Sequence, residues 1–157
     1  MTWDEVTFLT QVESYLDTQL DSSGISANIV NAFDSSMLVA LQTPFVAFKD
    51  GQAEHVLREG CDIVYTVEFL CVVQIQGEMG EGVTGRAPIA THFGAPHVAK
   101  LLQTRLNVLN IQNGVTLTTM RLDDSQWTSI SPSEVFSEGG NHWQSKLLTA
   151  RFHLREI

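Results

Sequence analysis

Asp62-Ile63-Val64-Tyr65-Thr66-Val67-Glu68-Phe69-Leu70-Cys71-Val72-Val73-Gln74-Ile75-Gln76 is the stretch on which the reading turns. Side chains of a strand alternate between its two faces, so Ile63, Tyr65, Val67, Phe69, Cys71, Val73 and Ile75 share one face, which is wholly apolar. The other face mixes Val64, Leu70 and Val72 with Thr66, Glu68, Gln74 and Gln76, the pattern of a face half covered by a helix or by another subunit. Strands usually run to about five or six residues, so the far end of this one is expected to project beyond the body of the domain.

Upstream, Trp3, Val6, Leu9, Val12, Leu16 and Leu20 recur at the spacing of one helical stripe, with Thr2 and Glu5 spaced as a capping box and Ser22-Ser23-Gly24 as the stop. Two short strands are expected at Met37 to Leu41 and Phe45 to Phe48, closed by Asp50-Gly51. Downstream, residues 77–96 carry Gly77, Gly80, Gly82 and Gly85 with Pro88 and Pro96 and no periodicity, which reads as a long mobile loop or arm. Pro96 then opens a second amphipathic helix through Val98, Leu101, Leu102, Leu106 and Leu109. Three strands complete the chain: Val115 to Leu122, Trp127 to Phe136 and Lys146 to Leu154, with Asp123-Asp124-Ser125 and Gly139-Gly140-Asn141 as the turns. In the last of them Thr149, Arg151, His153 and Arg155 face outward and make a basic face. The sum is a single α+β domain over residues 1–157: a largely antiparallel, mixed sheet of about six strands, two amphipathic helices on one side, and the glycine-rich loop.

Composition removes several function classes. With 43% apolar and 17% charged residues the chain is too hydrophobic for disorder, and no apolar run approaches the length of about 18 residues needed to span a bilayer. Trp3-Asp4-Glu5 stands where a secretory leader would carry basic and then apolar residues, so Met1 is expected to be the true start. The net charge of -9, and the absence of any Lys or Arg before Lys49, argue against sequence-specific nucleic-acid binding. Cys61 and Cys71 lie along one strand in no ligand spacing and are expected to be free thiols.

Each motif that imitates a catalytic or binding site fails on its surroundings. Gly80-Glu81-Gly82-Val83-Thr84-Gly85 has the dinucleotide spacing, but Pro88 interrupts the helix that should follow and Glu78 and Glu81 would repel a pyrophosphate. Gly80 to Ala87 has Arg86 and Ala87 where a phosphate loop needs lysine and a hydroxyl. His92 and His97 lack metal-pair spacing. Cys61 with His55, or Asp123 with His142, are the pairs a small enzyme would use, and no nucleophile elbow or carboxylate pair accompanies them. No enzyme activity, cofactor or metal is expected. The acidic first helix (Asp4, Glu13, Asp17) and the basic last strand (Arg151, His153, Arg155) have the opposite signs that would suit contact between neighbouring copies.

The order of leading helix, small strands ending in Pro44-Phe45-Val46-Ala47-Phe48, long strand, loop, Val98 to Leu109 helix and closing strand Leu148 to Leu154 resembles the tail-terminator and tail-completion proteins of tailed bacteriophages. That resemblance covers nearly the whole chain and rests on element order and length. It implies a virion structural protein of the tail or neck that forms a homo-oligomeric, hexameric ring, caps the tail tube and joins it to the head-neck connector proteins, with DNA passing through the lumen. It implies no catalytic residues, and it makes Glu78, Glu81, Arg86 and His92 part of a contact loop that orders on assembly. Neck, head-completion and tail-tube subunits are the neighbouring roles. A monomeric ligand-binding module, using the apolar sheet beneath the second helix, is the alternative from another class.

Overall fold

The computed structural model describes residues 3–58, 60–75, 94–106, 120–138 and 140–156. Along them run α1 (Glu5–Asp21), β1 (Ser26–Ile29), α2 (Ser35–Ala40), β2 (Phe45–Phe48), β3 (Gln52–Arg58), β4 (Gly60–Ile75), α3 (Ala95–Arg105), β5 (Met120–Ile130), β6 (Glu134–Glu138) and β7 (Asn141–Glu156). All seven strands belong to one sheet of order β1-β2-β4-β7-β5, with β3 added to β4 and β6 added to β7. Pairing is antiparallel except between β1 and β2, so the fold is α+β with a mixed sheet, as the sequence leads one to expect.

The spine is the β4–β7 pair, in register from Asp62↔Arg155 to Ile75↔His142. The apolar face of β4 (Ile63 through Val73) and Leu148, Ala150, Phe152 and Leu154 of β7 pack under α1 and α3 in one buried cluster. At the α1 end of that cluster the Phe8 ring meets Tyr65 and Phe152 edge-on, with centroids 5.7 and 5.3 Å apart. Tyr15 of α1 donates its hydroxyl to the Arg105 carbonyl at the end of α3, 2.9 Å away, tying the two helices together. The start of α3 has no side-chain cap of its own; Gln144 of β7, itself buried, accepts the Ala95 N–H at 2.8 Å.

Several local expectations are overturned. Met37 to Leu41 is not a strand. Asp34 caps Ser35–Ala40 as a helix by accepting the Ser36 N–H, and Met37 and Leu38 of α2 cover Phe45, Ala47, Val72 and Trp143 on the sheet face opposite α1 and α3. That third helix is the partial cover that the mixed face of β4 called for. Asp123-Asp124-Ser125 is not a turn: β5 runs straight through it, taking up the extra residue in a register shift between Leu122 and Asp124, with a second shift between Trp127 and Ser129. The expected strand from Trp127 to Phe136 is divided between β5 and β6 around residues 131–133. β1 and β3 were not expected. The first helix is capped by Asp4 at Glu5, not by a box from Thr2, which lies outside the described residues. The Gly140 turn, with φ +83°, links β6 to β7 as expected. Most of the 77–96 loop, with Glu78, Glu81, Arg86 and His92, lies outside the described residues; residues 94–96 open α3.

Candidate functional site

Three places bring functional side chains together. The first is a charge cluster at the end of the β4–β7 ribbon. Asp62, buried at the start of β4, faces His153 Nε2 at 3.2 Å and Arg155 Nε at 3.5 Å. Arg155 Nε also lies 3.1 Å from Asp123, which in turn binds Arg121 Nε at 2.8 Å. The bulge in β5 swings Asp123 into this cluster, which is why a turn-like triplet sits inside a strand. Two of the basic residues expected at a subunit interface are thus engaged within their own chain, and the face is not uniformly basic. Arg151 is exposed, and among the described residues it has no ion-pair partner.

The second place is the outer edge of β1. Glu13 and Asp17 stand one helical turn apart on α1, and their carboxylates reach sideways to accept the N–H groups of Ile29 and Ala27. Both acids, also expected at an interface, here complete the backbone hydrogen bonding of an edge strand. Asp4, the remaining acid of that set, is the α1 cap: its carboxylate accepts the Thr7 N–H at 3.0 Å and the Thr7 hydroxyl at 2.6 Å. Those bonds hold its pKa below the usual aspartate value.

The third is a groove of about 550 Å³ between the end of α2 and the β6–β7 hairpin. Leu38, Val39 and Leu41 form its apolar wall, and Gln74, Glu138 and Asn141 its polar one. Trp143, buried and stacked against Phe136 at 6.1 Å, closes the floor. Sequence reasoning missed this groove because it depends on α2.

Of the two residue pairs an enzyme would need, Asp123 with His142 is not assembled. Asp123 lies opposite the His153 end of β7 and His142 at its start, about 35 Å apart at roughly 3.3 Å per residue. His142 instead meets the Ser137 hydroxyl across the hairpin. The side chains of Cys61 and His55 lie outside the described residues. Cys71 is fully buried, and burial pushes its thiol pKa far up, away from the reactive thiolate. Among the described residues no three His, Cys, Asp or Glu side chains converge as metal ligands, and no helix is long and apolar enough to cross a membrane.

Compared with known proteins, the sequence matches no family model and no curated relative.

Proposed function

We propose that the chain is a virion structural subunit of the tail-terminator kind, which closes into a ring with copies of itself, caps a tail tube, meets head-neck connector proteins and lets DNA pass through the ring. The observation that carries the reading is the half of the sheet that no described helix covers. There Glu54, Thr66, Glu68, Gln126 and Arg151 share a face, by the register of β3, β4, β7 and β5. Glu54, Glu68, Gln126 and Arg151 are exposed. A polar surface with both signs of charge is suited to a wet contact whose register is fixed by charge pairing. The net charge of -9 fits a lumen along which DNA slides without sticking.

Light scattering on the purified protein, with negative-stain imaging of the same sample, tests this. A closed ring of about six copies is expected; long tubes would reassign the chain to the tube itself. Arg151→Glu is expected to weaken the ring while leaving the subunit folded. Unchanged assembly by that variant would remove this face from the contact. Arg155→Glu is a poorer probe, because Arg155 also holds Asp62 and Asp123.

The groove beside α2 favours a second reading, a monomeric ligand-binding module. Its apolar wall and amide-bearing rim are the ordinary composition of a small-molecule site. Strictly monomeric protein, together with a ligand-dependent change in Trp143 fluorescence, would move the assignment there.

A further inference from the structure

The donors of β1, and of Val30 just past its end, divide by direction. Ser26 and Val30 send their N–H groups to the Pro44 and Phe48 carbonyls on the β2 side, at 3.3 and 2.8 Å. Ala27 and Ile29 therefore point theirs away from the sheet, and these are the two that Asp17 and Glu13 accept. In a strand the N–H and C=O of one residue leave on the same side, so the carbonyls of Ala27 and Ile29 face outward as well. Asp17 and Ile29 are exposed, so the carboxylates meet these donors at the solvent boundary rather than deep beneath the helix.

We infer that the outer edge of β1 is a strand-pairing surface for a second copy of this chain, held shut by Glu13 and Asp17. The edge is self-complementary. An antiparallel pairing about a twofold axis at Asn28 sets Ala27 of one copy opposite Ile29 of the partner subunit. Residues opposite each other in such a hydrogen-bonded pair exchange both N–H···O=C bonds, so two pairs related by the axis supply four bonds. Ile29, 38% exposed, adds apolar surface beside the seam. An edge that presents unpaired donors is a template for another chain, and the two carboxylates remove both outward donors at once. This surface is separate from the uncovered sheet face on which the ring proposal rests. Rings with an inert β1 edge, or the reverse outcome, would tell the two apart.

The test is Glu13→Ala with Asp17→Ala, which removes both acceptors and leaves a good helix former at each position of α1. Light scattering is expected to show about a twofold rise in mass over the wild-type species, dependent on concentration. Glu13→Gln with Asp17→Asn keeps an acceptor oxygen at each site and is expected to stay at the wild-type mass. Adding Ile29→Pro to the alanine pair removes one outward N–H from an edge strand, where proline is tolerated, and is expected to restore the wild-type mass. Wild-type mass for the alanine pair overturns the inference, and so does association that persists with Ile29→Pro. Amide exchange supplies a second measurement: the Ala27 and Ile29 amides should be protected in the wild type, and free exchange there overturns the plug itself.

Discussion

Asp62 and Arg155 face each other across the β4–β7 ladder, with the arginine Nε 3.5 Å from a carboxylate that is only 4% exposed. His153 closes on the same carboxylate from two register positions away. A buried acid needs such partners, because its desolvation is otherwise uncompensated. Asp62→Ala strips the pairing from two half-exposed bases and is expected to cost about 1 to 3 kcal/mol. Asp62→Asn, which still presents an amide oxygen to His153 and Arg155, is expected to cost less. Urea denaturation of the three proteins checks the order, and equal midpoints would mean that the cluster adds nothing to stability.

Gly51 marks the bend where the chain leaves β2 and enters β3 along the same side of β4. A Cβ built there would sit 2.0 Å from the Thr66 carbonyl oxygen, a backbone atom of the central strand that has no room to yield. Gly51→Ala is therefore expected to cost at least about 2 kcal/mol by overpacking. At Gly24 and Gly140 an added Cβ meets open space, and only the positive φ opposes it, at roughly 1 to 2 kcal/mol. Thermal unfolding of the three alanine variants checks the ranking. A Gly51→Ala protein with the wild-type midpoint would place the β2–β3 bend away from Thr66.

What could be read in the sequence, and what could not, follows from range. β4, β7 and α1 were legible because their periodicity extends over many residues, and their apolar faces are the ones that meet in the main core. α2 was not, since a five-residue apolar run from Met37 to Leu41 fits a buried strand or one turn and a half of helix equally well. The deciding signal was Asp34 before Ser35-Ser36, a cap that can be recognised from composition. β1 and β3 are short or polar and draw their stability from neighbours far along the chain. Asp123 and Asp124 carry turn chemistry, but Arg155 joins the neighbouring Arg121 in holding Asp123 inside a strand, and the Arg155 contact is nonlocal. The acids of α1 were picked out for their sign alone. Their bonds to Ala27 and Ile29 span ten and sixteen residues and become visible only once β1 is known to exist.

Cys71 lies on the core face of β4, fully buried, and desolvation holds its thiol protonated. It is expected to resist alkylation by iodoacetamide at pH 8 in the native protein and to react fully in urea. Peptide mass mapping distinguishes it from Cys61. Native labelling of Cys71 on the timescale of an exposed thiol would require β4 to open locally, contrary to its place at the centre of the sheet.

Asp4 provides the pH test. Its pKa in the folded chain lies below the ordinary aspartate value of 3.8, first through the hydrogen bond from the Thr7 side chain and then through that from the Thr7 backbone. A depressed carboxylate pKa contributes stability that is fully present above the unfolded value and is lost as pH falls through the folded one. The wild type should therefore melt above Asp4→Ala at pH 7. The gap should hold down to about pH 5 and shrink steadily below pH 3.8 as both states become protonated. Thr7→Val removes the side-chain donor but keeps the backbone one, so it should lower the midpoint by less than Asp4→Ala does and shift the midpoint of the pH dependence upward. Calorimetric melts between pH 2 and 7 measure all three proteins. A gap independent of pH would mean that the Asp4 cap acts without its charge, through hydrogen bonding that the protonated acid keeps.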